Sequence, residues 1–417
     1  MYDVQTIPLR YGFAFLRQQP WTPSPMPLFP TVRKTERFTK IHKRLCQTLA
    51  LSLTVGSLLA GATQAKADPR LVIFDDDGFS IAQWMIIKAP NVRVLGITTV
   101  TGDVWQKEAT NDALRGVEVA GRADIPVVPG ATYPFLNSEK LTDRWEALYG
   151  KLIWKGVWMK KWVEKTEQPL PYYHGPDVVP DLPYGNPVKK PENERAADFL
   201  IRMVHQYPGQ VSIIATGPMT NIALAQTLDP EFAGLAKELV YMGGGLNPRQ
   251  TRPGVVAHQF AREFLNSPRR EFNFRLDPES ASAALRAPWK HIVMVPADPS
   301  TDTELTPEFL KKLEATGTPV GHVMKWHLSG FPLWDEIAAS VWLDPSIITE
   351  KQDLFVDVNS QFGPDYGDVV SWTPGYEPGL GERKNEVVLR VNVPKLEKQI
   401  LGLIGSPQAP VSGQPLP

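Results

Sequence analysis

Three carboxylates stand together in RLVIFDDDGFS, Arg70 to Ser80: Asp75, Asp76 and Asp77, after an apolar run and before Gly78. Adjacent anions repel, and burying any of them costs free energy unless something compensates. A hard divalent cation would compensate, because Ca²⁺ and Mg²⁺ prefer oxygen donors. Such a cation also acidifies water, and a neighbouring carboxylate then takes the proton. The bland alternative is a solvated acidic turn. A third possibility is a phosphatase nucleophile loop of the haloacid-dehalogenase type, where an apolar strand also ends in paired aspartates. That loop calls for Ser or Thr after the glycine and a later aspartate pair; here Phe79 follows Gly78 and no such pair is found.

The segments that must position these groups alternate in character. LVIF precedes the amphipathic SIAQWMIIKAP, and VRVLGITTV precedes QKEATNDALRGVEVAGR, with IPVVPG next. ERAADFLIRMVHQYP leads into VSIIATG, MTNIALAQTLDP follows, and ELVYMGGG and HIVMVPAD read as further strands. This β-α-β rhythm predicts an α/β fold: an open, mostly parallel sheet with helices on both faces. Right-handed crossovers then gather the strand C-termini on one side, where a site forms. The acidic triplet, TTVTGD, IIATGPMTN and YMGGGLN all fall at such ends. The glycines of YMGGG lack dinucleotide-loop spacing and read as a tight strand exit.

A Trp-, Tyr- and Pro-rich insert over 137–191 interrupts the rhythm, as does a long connection from Leu246 to Asn273. The insert's aromatic residues read as packing for a long loop. Near the end, LFVDVNSQFG, GDVVSW and NEVVLRVNV alternate like antiparallel strands before a closing helix. One domain over 68–405 is expected, with a flexible tail over 406–417.

The N-terminal region reads separately. A basic stretch, a short apolar run and a small-x-small site ending at Ala67 make a signal peptide over 1–67, preceded by an over-long extension. The apolar run is short for a membrane span, so export without a membrane anchor is the expectation, to periplasm or medium. The sole cysteine, Cys46, lies in that segment, leaving no disulfide or thiolate metal site beyond it. With 44 basic and 45 acidic residues, charge makes no case for nucleic acid.

IIATGPMTNIALA (213–225) resembles a signature of the inosine–uridine-preferring nucleoside hydrolase family. VRVLGITTVTGD, IPVVPGA, ELVYMGGG, REFNFRLDPESA and PLWDEIAASVWLDPSII are similar to its other motifs, in its order. DDDG with FPLWDE looks closest to a divergent, often secreted branch. The resemblance implies hydrolysis of the N-glycosidic bond of ribonucleosides, with Ca²⁺ as cofactor and a nucleoside as the small-molecule partner. It also implies a homodimer or homotetramer. Carried over by position, Asp77 is the base and a metal ligand, beside Asp75, the Thr216 carbonyl and Asp335. Asp103, Asn266, Glu271 and Asn273 match positions around the sugar. Asp76, between its neighbours, is expected to point the other way in an extended strand.

The departures are as informative. The family pattern continues D-x-D-P-G-x-D-D, whereas DDDGFSIAQ has neither the proline nor the second pair. Trp334 stands where many members carry a histidine that protonates the leaving base; an indole stacks but does not supply that proton. His174 in the insert, and His322 and His327 before FPLWDE, are the histidines within reach of this role. A rival reading keeps fold and pocket without hydrolysis, as a riboside-binding protein in which Ser80 and Ile81 mark a dismantled cation site.

Overall fold

The computed structural model describes residues 68–78, 80–163, 168–169, 172–248 and 269–407. The expected signal segment with Cys46, and also Phe79, Asn266 and the tail from residue 408, lie outside these residues.

Six strands run parallel: β1 (Arg70–Asp76), β2 (Val92–Thr99), β3 (Val127–Pro129), β4 (Val211–Ala215), β5 (Glu238–Met242) and β6 (Ile292–Val295). The C-terminal strands β7 (Ile348–Val358), β8 (Val369–Trp372) and β9 (Arg383–Val391) complete a nine-stranded sheet in the order β3-β2-β1-β4-β5-β6-β9-β7-β8. β9 joins β6 in parallel, whereas β7 runs antiparallel to both β8 and β9. The sheet is therefore open, mixed and mostly parallel, as the alternation predicts.

Twelve α-helices accompany it among the described residues: α1 (Ala82–Lys88), α2 (Gln106–Val119), α3 (Glu139–Tyr149), α4 (Ala196–Gln206), α5 (Thr220–Leu228), α6 (Phe232–Leu235), α7 (Phe272–Leu276), α8 (Pro278–Leu285), α9 (Pro307–Glu314), α10 (Pro319–Val323), α11 (Asp335–Leu343) and α12 (Val393–Gly405). Alternation along β1 divides the core. Val72 and Phe74 pack under α1, α2, α11 and α12. Leu71 and Ile73 pack on the opposite face under α4, α5 and α8. A strand covered on both faces reads as a continuous apolar run, which is why LVIF shows no period of two.

One local expectation is corrected. SIAQWMIIKAP has an amphipathic pattern, yet every residue of α1 is buried. The helix lies among α2, α11 and α12, so its polar positions need partners. Trp84 donates its Nε1–H to the Gly116 carbonyl (3.0 Å), and Lys88 donates to the Ser406 carbonyl (2.7 Å).

The chain leaves β1 in one direction through β2 and β3, then returns and continues through β4 to β6 on the other side. The order therefore reverses between β1 and β4, and the crevice beyond their C-terminal ends is where an open α/β sheet holds a ligand. DDDG lies at that reversal.

Candidate active site

The acidic triplet is split three ways by the backbone. In β1, Asp75 and Asp76 pair with Thr98 and Thr99 of β2, so their side chains leave on opposite faces. Asp75 is completely buried; its Oδ1 accepts from Thr98 Oγ1 (2.5 Å) and Asn221 Nδ2 (2.8 Å), while its Oδ2 has no hydrogen-bond partner. Asp76 turns to the other face and accepts from Thr216 Oγ1 (2.7 Å). Asp77 has left the strand, and its carboxylate enters a cleft of about 680 Å³, measured with its open mouth.

Glycines make room for Asp77. Thr101-Gly102-Asp103 closes over it, and any Cβ at Gly102 would overlap the Asp77 carboxylate. A Cβ at Gly217 would lie 2.8 Å from the Asp77 Cβ. The glycines of TGD and TGP are thus required by close approach rather than by turn conformation alone. The same turn brings the Asp103 N–H to Asp77 Oδ2 at 2.8 Å.

Thr216, Asp335, Asp103, Glu271, Asn273 and Trp334 also line the cleft. Glu271 caps α7: its carboxylate accepts from the N–H groups of Asn273 (2.8 Å), Phe274 (3.2 Å) and Gly244 (2.8 Å). The Asn273 amide donates to the Thr216 carbonyl (2.8 Å) and the Met242 carbonyl (3.1 Å), tying the ends of β4 and β5 together. A carbonyl oxygen has two lone pairs, so Thr216 retains an acceptor site. Gly244, at φ +75°, sends its N–H to Glu271, so YMGGG is a strand exit beside the cleft.

Burial governs the electrostatics. Removal from water pushes Asp75 and Asp103 up to about 6, and Asp76, Glu271 and Glu336 up to about 7. Asp77 rises well above the usual carboxylate range through burial and the nearby charges of Asp103 and Asp76. Asp335 does likewise, through burial and then Glu336, Asp76, Asp77 and Asp103. Arg270 also lines the cleft, but its guanidinium pairs with Asp368 at 3.0 Å.

This donor set fits a hard divalent cation. The ligand atoms on offer are oxygens, and burial together with mutual repulsion raises Asp77 and Asp335, which a cation between them would relieve. Asp77, Asp103, Asp335 and the Thr216 carbonyl are the groups that would hold it. Among the described residues, the only trio of His and carboxylate groups within 4.8 Å of one another is His205, Asp229 and Glu231, away from this cleft. No three of the described cleft carboxylates come that close to one another.

Several expectations take a different form. Asp75 does not line the cleft; it is held beneath the floor by Thr98 and Asn221. His174 lines an adjoining cavity, where its Nε2 meets Glu108 at 3.2 Å. His327 packs edge-on against Trp84 at 5.6 Å, with burial lowering it to about 4, and His322 is exposed on α10. The insert's aromatic residues are not all loop packing, because Trp154 lines the cleft and donates to Asp103 Oδ1 at 2.6 Å. Met242, Phe272 and Phe331 complete the wall; the last two sit inside REFNF and FPLWDE, where aromatic side chains beside carboxylates were the available signal. Beyond Gly78, where the family pattern has its second aspartate pair, the Ile81 N–H donates to Glu336 Oε1 at 3.2 Å. A carboxylate from α11 thus reaches the start of α1, 255 residues away in sequence.

A doubly wound sheet with an acidic cleft at its reversal point, walled by aromatic side chains, defines a class of α/β proteins that hold small molecules at that crevice. A sequence profile of the family described as inosine-uridine preferring nucleoside hydrolase matches residues 72–398, and the chain belongs to that family. A probable uridine nucleosidase 1 of Oryza sativa subsp. japonica is 33% identical over 53% of this chain and 56% of its own length. An inosine-uridine preferring nucleoside hydrolase of Leishmania major is 25% identical over 70% of this chain and 84% of its own length. The solved structure of a plant nucleoside hydrolase, the PpNRh1 enzyme, matches with a TM-score of 0.60 and 23% identity, covering 81% of this chain and all of its own; that likeness speaks to the fold.

Proposed function

We propose that this protein hydrolyses the N-glycosidic bond of ribonucleosides, releasing ribose and free base. The observation that carries the reading is the meeting of Asp77, Asp103, Asp335, the Thr216 carbonyl, Glu271 and Asn273 in one cleft at the β1/β4 reversal. Family membership supplies the reaction class, and this geometry supports the assignment of roles.

Asp77, whose carboxylate enters the cleft, takes the proton of the attacking water. Asp335 and the Glu271–Asn273 pair orient the sugar. As the glycosidic bond breaks, positive charge develops on the ring, as in other glycoside hydrolyses. The surrounding carboxylates stabilise that charge more than the neutral ground state, which is what lowers the barrier. Trp154, Phe272, Phe331 and Trp334 form the apolar wall against which the base rests and from which bulk water is excluded. Among the described residues lining the cleft there is no histidine to protonate the leaving base. A divalent cation, for which Ca²⁺ is the expected choice, supplies charge compensation and lowers the pKa of water when held by the oxygen donors.

The test is direct. Protein purified with calcium is incubated with inosine, uridine, adenosine and guanosine, and ribose is quantified. Release from at least one, reduced by chelation, is expected, and no release from any overturns the reading. Asp77→Asn should retain the fold and lose turnover by ~10²–10⁴-fold. Riboside binding without turnover would favour the non-catalytic rival, which the replacement of the second aspartate pair by Ser80 and Ile81 motivates. Export belongs to the same proposal, and a mature chain beginning at Asp68, read by mass spectrometry, tests it.

A further inference from the structure

Among the described residues, the insert meets the cleft through a short stretch, 154–157. The Trp154 indole donates 2.6 Å to Asp103 Oδ1, and the Asp103 N–H donates 2.8 Å to Asp77 Oδ2. Two hydrogen bonds in series therefore join the insert to the carboxylate assigned as base. The backbone is gripped as well: the Val157 N–H donates to the Gly102 carbonyl at 3.1 Å. Gly156, at φ +51°, lies so close that any Cβ there would overlap the same carbonyl. Trp154 is itself anchored from behind. Its carbonyl accepts from Arg275 at 2.5 Å, and its ring stacks on Trp162 (5.4 Å between centroids) and meets Phe272 edge-on (6.4 Å).

An indole N–H donates only, so its partner must be an acceptor. A donor fixed on a carboxylate makes the stronger, charge-assisted kind of bond. Mere packing would be satisfied by the ring alone and would not require the N–H to face a carboxylate at the cleft wall.

We propose that Trp154 is a positioning residue: it orients Asp103, and through Asp103 it orients Asp77, so that the insert sets the geometry of the acidic floor. Its activity arm rests on the hydrolase reading; its calcium arm does not. Trp154→Phe keeps an apolar ring and removes only the donor. With full-length protein, kcat should fall about tenfold or more while KM changes little, the size expected for losing a hydrogen bond to a charged group. A wall that merely stacks on the base predicts the opposite split, with KM raised and kcat kept. In an Asp103→Ala background the same Trp154→Phe change should cost less than about twofold, because the partner is gone. The cycle is repeated on the Kd for calcium alone, by calorimetry without substrate, where the same non-additivity is expected. Trp162→Phe, which keeps the stack and leaves the Asp103 bond intact, should change neither readout. Parent protein labelled with ¹⁵N-tryptophan provides a measurement without substitution at Trp154: the indole signal most displaced by Asp103→Ala should also move when calcium is added. If no parent riboside turns over, the hydrolase reading fails and the calcium cycle alone decides Trp154. Additivity in that cycle, or an indole signal indifferent to calcium, overturns the inference.

Discussion

Removing divalent cations should invert the ordinary pH dependence of stability in this protein. The perturbation is chelation followed by a rise from pH 5 to pH 8. Carboxyl groups whose folded values lie above their unfolded ones bind more protons when folded, so their contribution is complete below the unfolded value and is lost as pH climbs through the folded one. For Asp75, the change from 3.8 to about 6 corresponds to about 3 kcal/mol in all, of which about 1.4 kcal/mol is lost above pH 5. Asp76, Asp103, Glu271 and Glu336 act in the same sense between about pH 4 and pH 7. Part of each shift reflects repulsion by the others, so the contributions do not add, and the net loss is on the order of several kcal/mol. His327 opposes them: lowered to about 4 by burial, it favours folding more as pH rises from 4 to 6.5, with about 2 kcal/mol of that gain above pH 5. One histidine against five carboxyl groups leaves a net loss. Calcium at ~100 times its Kd would return about 2.7 kcal/mol. The assay is calorimetric unfolding in chelator and in excess calcium, at pH 5, 6, 7 and 8. The expected result is a falling Tm in chelator, with calcium narrowing the gap most at pH 8. A chelated protein whose Tm rises steadily from pH 5 to pH 8 would refute the reasoning, because the buried carboxyl groups would then be compensated by something within the chain.

Three further outcomes follow from the same geometry. Gly102→Ala should reduce turnover sharply, because the added methyl collides with the Asp77 carboxylate; crystallography or the calcium Kd would register the displacement. Thr98→Val removes one of the two donors on buried Asp75 Oδ1 and should cost ~1–3 kcal/mol, read by chemical denaturation at pH 8. His174→Ala should fall well short of the ~10²-fold loss that removing a leaving-group acid produces, since His174 faces Glu108 in the neighbouring cavity; a loss of that size in kcat would move the acid's role to it.

Glu336 and Trp154 show where sequence reading stops. Both residues lie in segments with a marked composition, FPLWDE and the Trp-rich insert. Neither segment reveals locally that Glu336 will meet the Ile81 N–H or that Trp154 will meet Asp103, because those contacts join positions 255 and 51 residues apart. Asp75 makes the same point in the opposite direction. Its place in a D-x-D pattern marks it as a cation ligand, but Asn221, 146 residues on, takes hold of it below the cleft floor.

What the sequence determined by itself is the periodic part. Apolar runs alternating with helical stretches set a parallel sheet, and the glycines and carboxylates at the ends of those runs mark where a site must form. The period of two also assigns Asp75 and Asp76 to opposite faces of β1. The tertiary structure decided what waits on each face and how far each carboxylate is removed from water. Those depend on packing between distant segments, and packing is where burial, and with it the proton affinity and freedom of each acidic group, is set. The row of three aspartates is therefore three different groups: Asp75 anchored beneath the floor, Asp76 held by Thr216 on the other side, and Asp77 the one of the three that lines the cleft.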